Sequence, residues 1–352
     1  MPQASLSRAR AAGVHAPVRL LAVALLATAA LFAAAPPARA AADALTLYAG
    51  QHQQMVRLLV NAFEKESGIR VEVRYGEGPE LANQIILEGQ RTPADVFFTE
   101  NSPELTRLQE QHLLAPVDKA TLAQIPARYS SDTGEWVGVL ARENVLTYDP
   151  KLIKASELPK SILELATPKW KGRIGIHLAS ADIMPLIRTI AVKDSRRAAL
   201  FWVEGVKLNA KLYQQSSGTV LAVNNGDVPV GISNSYYYYR MRQQLGPKKT
   251  VSRVYHFSHG DPGGLVNISG AAVLKYVPHP QLAQKFLAYM VSQQAQTLLA
   301  KSAIDFEYPL RPGVPANKEL KPFDQLQPPA ITVTQLGDNR EALQLLQQAG
   351  VL

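Results

Sequence analysis

The 352-residue sequence contains no cysteine, which excludes disulfides, zinc–thiolate sites, a cysteine nucleophile and a lipidated N-terminal cysteine together. Any metal must therefore be held by oxygen and nitrogen. The formal charge of +8 is concentrated at the start: the first forty residues carry four arginines and no acid, leaving 33 basic against 29 acidic side chains, a mild +4 that calls for no nucleic-acid partner.

The chain opens with Arg8, Arg10 and Arg19, continues through an apolar stretch from Leu20 to about Ala35, and reaches Ala38-Arg39-Ala40. That order reads as a cleaved secretory signal peptide over residues 1–40. A membrane anchor needs roughly 20 apolar residues, and this run is shorter and ends at Pro36 and Pro37. The remaining 312 residues suggest two lobes, and with no second long apolar run they read as a soluble, secreted protein.

A short strand is predicted over Leu45 to Tyr48, then a helix with Met55, Val56, Leu59, Val60 and Phe63 on one face. Val71, Val73 and Tyr75 follow at period two, then a helix near Leu81 to Glu88 and the strand Asp95 to Phe98. This β-α-β-α-β order predicts an α/β fold with a mostly parallel sheet covered on both faces. In such sheets ligands sit beyond the carboxyl ends of strands, where Gln51-His52 and Thr99-Glu100 both fall. A second α/β region from about Val145 has strands at Arg173 to Ile176 and Val228 to Ile232, with a helix around Ala198 to Leu208. Asn234 is placed as the cap of a helix carrying Tyr236 to Tyr239 and ended by Gly246-Pro247. A Gly-rich turn, Gly260 to Gly264, precedes an apolar strand from Leu265 to Leu274. The tail is helical, with Leu343, Leu345 and Leu346 as its apolar positions.

The run Tyr236-Tyr237-Tyr238-Tyr239 is the most unusual feature. A run of tyrosines can simply pack a core edge with wet hydroxyls. Here it opens a helix that follows a strand, and such helix starts line the crevice of α/β folds. Neighbouring helical residues diverge by about 100°, so at most two rings converge, and Tyr236 and Tyr237 lie nearest the terminus, where the helix dipole favours an ionised phenol. Two phenolates, the Glu100 carboxylate and a neutral His52 carry three negative charges, a donor set suited to Fe³⁺ over a divalent ion. Taken singly, His52 could only cap the first helix, and Glu100 could do the same for the helix after Asn101. His256 and His259 abut a Gly-Pro loop rather than lying within a helix, which weakens them as a ligand pair. There is no Gly-x-Ser-x-Gly elbow and no paired acids, so hydrolytic chemistry finds no support.

At these residues the chain resembles the periplasmic ferric-ion-binding proteins of iron ABC importers, the Fbp-type, transferrin-like class of solute-binding proteins. The resemblance runs over nearly the whole mature length. It is carried by Tyr48-Ala49-Gly50-Gln51-His52, Ala94 to Glu100, Pro168 to Gly175, Asn234-Ser235-Tyr236-Tyr237, Gly260 to Gly263, Val266 to Gly270 and Glu307 to Gly313. It implies a two-lobed periplasmic binding protein fold with a hinge and an interlobe ligand cleft. Lobe 1 would comprise residues 41–144, with about 268–317 returning to it, and lobe 2 residues 145–267, with about 318–352 returning. It also implies iron ligation by His52, Glu100, Tyr236 and Tyr237. A related subgroup places a tyrosine directly after the His and another near Ser180; this chain has Gln53 and no tyrosine there. The His/Glu/Tyr/Tyr subgroup also holds a synergistic anion, phosphate or carbonate, through a Ser-Gly pair and two Asn. Asn234 matches one Asn, Ser180-Ala181 keeps the serine alone, and Ser216 stands where the other Asn is expected.

The implied mechanism is hinge closure over the metal, proton release on binding, and delivery to a permease with its cytoplasmic ATPase by a monomeric, non-enzymatic carrier. Two rival readings are a same-fold binding protein for an organic cation or a small anion, and an extracytoplasmic enzyme.

Overall fold

In the computed structural model the described residues are 44–302, 304 and 306–352, so the signal-peptide reading lies outside them. Their strands are β1 (Leu45–Gly50), β2 (Val71–Tyr75), β3 (Val96–Thr99), β4 (Val137–Tyr148), β5 (Ile174–Ile176), β6 (Ala210–Leu212), β7 (Val230–Asn234), β8 (Arg253–Tyr255), β9 (Val266–Val273) and β10 (Tyr308–Pro309). The α-helices are α1 (Gln53–Ser67), α2 (Gly78–Glu88), α3 (Ser102–Glu110), α4 (Lys119–Leu122), α5 (Met184–Lys193), α6 (Arg196–Asn209), α7 (Ser216–Asn224), α8 (Ser235–Leu245), α9 (Pro280–Met290), α10 (Gln293–Lys301), α11 (Val333–Leu336) and α12 (Arg340–Gln348). No helix among the described residues is long and apolar enough to cross a membrane.

The amphipathic period sets the helices. Met55, Val56, Leu59, Val60 and Phe63 form the buried face of α1, which stops where Gly68 adopts a left-handed φ of 71° and donates its N–H to the Glu64 carbonyl. In α12, Ala342, Leu345 and Leu346 are buried while Leu343 is 39% exposed. Leu343 was expected on the apolar face; lying two residues before Leu345 it projects about 200° away and cannot share that face.

The sheet runs β2-β1-β3-β9-β4-β7-β5-β6, with β8 and β10 also pairing with β4. β1 is parallel to β2 and β3, and β5 is parallel to β6 and β7, as the β-α-β pattern requires. β9 and β4 are antiparallel to their neighbours, so the sheet is mixed rather than mostly parallel. Alternation of apolar residues fixes which face a strand buries and says nothing of its direction.

The result is a two-lobed α/β fold. β4 ties the halves together: Val137–Glu143 pair with β9, and Asn144–Tyr148 pair with β7. One apolar core gathers around β1, β3 and β9, and a second around β5, β7, α5 and α6. Leu320, Leu326 and Val333 pack in the first core, whereas Ala342, Leu345 and Leu346 pack in the second.

One close approach fixes the edge of the cleft. A Cβ built on Gly50, the last residue of β1, would stand 2.6 Å from the Cα of Gly78 at the start of α2. Only glycine allows β1 to end this close to α2, and Gln51 and His52 follow directly.

Candidate metal centre

The turn after β1 and the turn after β3 bring His52 and Glu100 together. His52 Nε2 lies 2.7 Å from Glu100 Oε1, and its Nδ1 lies 4.0 Å from Glu307 Oε1. Although His52 occupies the N-cap position of α1, its side chain makes no cap bond, and Asn101, not Glu100, stands at the N-cap of α3. Neither residue spends its side chain on a helix end. The Gln51 side chain holds this turn: its Oε1 accepts from the His52 N–H at 2.7 Å, and its Nε2 donates to Ser269 Oγ at 3.0 Å and Glu307 Oε1 at 3.3 Å.

The tyrosines arrive from the start of α8. The Tyr236 ring meets His52 edge-on at 4.8 Å between centroids and lies 4.1 Å from the Tyr237 ring. The Tyr236 hydroxyl is fully buried without a hydrogen-bond partner of ordinary geometry, and Tyr237 donates its hydroxyl to Asp182 Oδ2 at 3.1 Å. Tyr238 turns away to donate to the Ser252 carbonyl at 3.1 Å, and Tyr239 stacks on Phe306. Both belong to the packing, as the helical divergence requires.

Three of the four sequence-derived candidates, His52, Glu100 and Tyr237, line a cavity of about 810 Å³ together with Glu77, Ala181 and Arg240 among others, and Tyr236 is buried against His52 and Tyr237. Burial, then the Asp182 and Glu100 charges, push both phenols well above the usual tyrosine range, so both keep their protons at neutral pH. Burial would also raise Glu100, but His52 first, then Arg142 and Arg240, hold it below the ordinary carboxylate value. Glu77 is raised, chiefly by desolvation and then by Glu100 and Glu80. Beneath them Glu104, buried with one unpartnered oxygen, is pushed up to about 8 by burial.

Each of the three residues expected around an anion contacts the protein, and the buried Asn234 Nδ2 has no hydrogen-bond partner. Ser180 Oγ accepts from the Asp182 N–H at 3.1 Å. Ser216, the first residue of α7, lies close enough to Tyr237 to favour its ionised form. Asn234 does occupy the N-cap position of α8, but its side chain makes no cap bond; its Oδ1 accepts from Asn267 Nδ2 at 3.3 Å. The reason is its place at the end of β7, paired with Asn144 on β4, which turns the amide into a buried Asn144–Asn267–Asn234 cluster. None of the three lines the cavity. His256 is bound through Nδ1 to Glu143 Oε2 at 2.6 Å, and His259 sits in a left-handed turn with φ 56°.

Sequence reasoning missed Arg142 and Asp182. Arg142 is fully buried; Nη1 donates to the Glu100 carbonyl and, at 3.2 Å, to Ser269 Oγ, while Nη2 donates to Asn101 Oδ1 at 2.6 Å and Asp182 Oδ1 at 3.4 Å. A signal did exist: Arg142-Glu143-Asn144 interrupts the otherwise apolar run of β4. Asp182 lies in a turn with no local pattern to mark it.

The chain is 36% identical over 330 residues to the Fe(3+)-binding periplasmic protein of Serratia marcescens, covering 94% of this chain and 97% of that one. It is 37% identical over 331 residues to the major ferric iron-binding protein of Neisseria meningitidis serogroup B, covering 93% and 97%. The crystal structure of iron-bound HitA from Pseudomonas aeruginosa superposes with a TM-score of 0.84 at 39% identity, covering 87% of this chain and 99% of that one. Each relative is named for binding, not for catalysis. With residues 59–328 matching its family profile, the chain belongs to the bacterial extracellular solute-binding proteins.

Proposed function

We propose that this protein is the periplasmic component of an iron ABC importer: it takes up Fe³⁺ in the cleft through His52, Glu100, Tyr236 and Tyr237 and hands it to an inner-membrane permease driven by a cytoplasmic ATPase. Export would follow cleavage after Ala40. The supporting observation is the convergence of these four side chains from three separate elements, with the Tyr236 hydroxyl buried and without a hydrogen bond of ordinary geometry. A buried polar atom without a partner costs about 1–3 kcal/mol and persists where function requires it.

The chemistry follows from the donors. Two phenols, a carboxylate and an imidazole give oxygen-rich ligation that balances a trivalent charge once both phenols lose their protons. The ion first meets the tyrosines of α8, and closure about β4 and β9 brings His52 and Glu100 onto it. Their mutual contact at 2.7 Å occupies the atoms that would coordinate and must open as the metal enters.

Titration of the purified protein with ferric citrate tests this. A visible phenolate-to-iron charge-transfer band should rise, saturate at one iron per chain, and be lost or strongly weakened in Tyr237→Phe. Absence of a band at any iron level would reject the assignment.

A further inference from the structure

The two ring nitrogens of His52 face different acids. Nε2 lies 2.7 Å from Glu100 Oε1, beside the cleft, while Nδ1 lies 4.0 Å from Glu307 Oε1. Glu307 is buried just before β10 and does not line the cavity. Its carboxylate is held from two sides: Oε2 accepts from the Ser269 hydroxyl at 3.1 Å and Oε1 from Gln51 Nε2 at 3.3 Å. Because Gln51 Oε1 also accepts from the His52 N–H at 2.7 Å, one amide ties the backbone of the histidine to the carboxylate beside its ring. A second observation marks this position. Phe306, immediately before it, holds a left-handed φ of 53°, which a bulky side chain rarely adopts, and stacks its ring on Tyr239 of the tyrosine helix α8. Such backbone persists where its surroundings over-determine it, and it clusters at functional sites. The charge is also provided for: burial opposes the Arg142 charge, and Glu307 leads the acids that more than offset that opposition.

A metal on Nε2 needs that nitrogen bare, so the remaining ring proton must sit on Nδ1, where a hydrogen bond selects it. We infer that Glu307 is a positioning residue for the metal: it accepts the Nδ1–H of metal-bound His52, fixes the ring's tautomer and orientation, and makes Nε2 a stronger donor. On metal entry the proton between Nε2 and Glu100 leaves to solvent, and the Nδ1–H is directed at Glu307. Glu307 itself stays outside the ligand set. The inference rests on the ferric reading above.

The test loads the full mature protein from ferric citrate and measures iron affinity by chelator competition. Glu307→Gln keeps the size of the side chain and can still pair with Ser269. It should bind iron about 10–100-fold more weakly while retaining the phenolate charge-transfer band. In a His52→Ala background the same substitution should cost less than about twofold, because its effect travels through the imidazole. A loss that persists undiminished in that background would be a general structural effect and would overturn the inference, as would a Gln variant with the parent's affinity. Nitrogen and proton NMR of the parent, carrying labelled histidine and loaded with diamagnetic Ga³⁺, gives a second readout, with His52→Ala assigning the signal. The His52 Nδ1 proton should exchange slowly and resonate far downfield, the mark of a hydrogen bond to a carboxylate. A rapidly exchanging Nδ1–H rejects the inference even if the Gln variant does not fold. A parent with no charge-transfer band rejects the ferric reading itself, whereas a parent with the band and an unaffected Gln variant rejects this inference alone.

Discussion

His52 Nε2 lies 2.7 Å from Glu100 Oε1, each standing just past the carboxyl end of a parallel strand, β1 for the histidine and β3 for the glutamate. The pair is exposed by only 19% and 18% and keeps Glu100 ionised at the mouth of a cleft whose other wall is two protonated phenols.

Removing the Tyr236 hydroxyl should separate stability from binding. Tyr236→Phe deletes a buried hydroxyl that lacks a hydrogen bond of ordinary geometry, so the metal-free protein should be as stable as the parent or more so, by up to about 1–3 kcal/mol. Iron affinity should fall by orders of magnitude. Urea denaturation paired with chelator competition checks both halves. The double Tyr236→Phe, Tyr237→Phe variant discriminates further, since a stacked organic cation would survive loss of the hydroxyls and iron would not.

Binding should weaken as pH falls. Burial raises both phenols well above their ordinary range, so each carries a proton that the metal must displace, while Glu100, held low, contributes none. With two protons released, apparent affinity corrected for the competing chelator should drop by about a hundredfold per pH unit. A pH-independent affinity would mean that the phenols do not ligate.

Arg142→Met should destabilise the fold by about 3–5 kcal/mol, because it strands the buried Asp182 carboxylate and removes the donors to the Glu100 carbonyl and Asn101. The midpoint of chemical denaturation reads this directly. A shift under 1 kcal/mol would show that water replaces the guanidinium.

Glu104→Gln should change the pH dependence of stability. Its carboxyl, raised by burial to about 8 from an ordinary 4.5, stays protonated in the folded chain while the unfolded chain ionises. The parent's stability from this group is therefore complete below about pH 4.5 and declines as pH rises toward 8. Relative to the parent, the Gln variant should gain a few kcal/mol across that window, whatever its offset at low pH. Denaturation midpoints at pH 4.5, 6 and 8 measure it.

The sequence alone determined the alternating α/β order, the buried face of α1, the glycine stop of α8 and four candidate metal donors, because all of these are local. Periodicity, turn chemistry and position at a strand end are properties of short segments. Tertiary structure alone decided the rest. That β4 and β9 run antiparallel and join two lobes depends on pairing between distant segments, which period-two alternation does not encode. That Asn234 turns from its helix end to Asn267 depends on a neighbour contributed by β9. Asp182 comes beside Tyr237 only because folding sets its turn against both the start of α8 and the buried Arg142, and a carboxylate acquires its chemical role from the charges that folding sets around it.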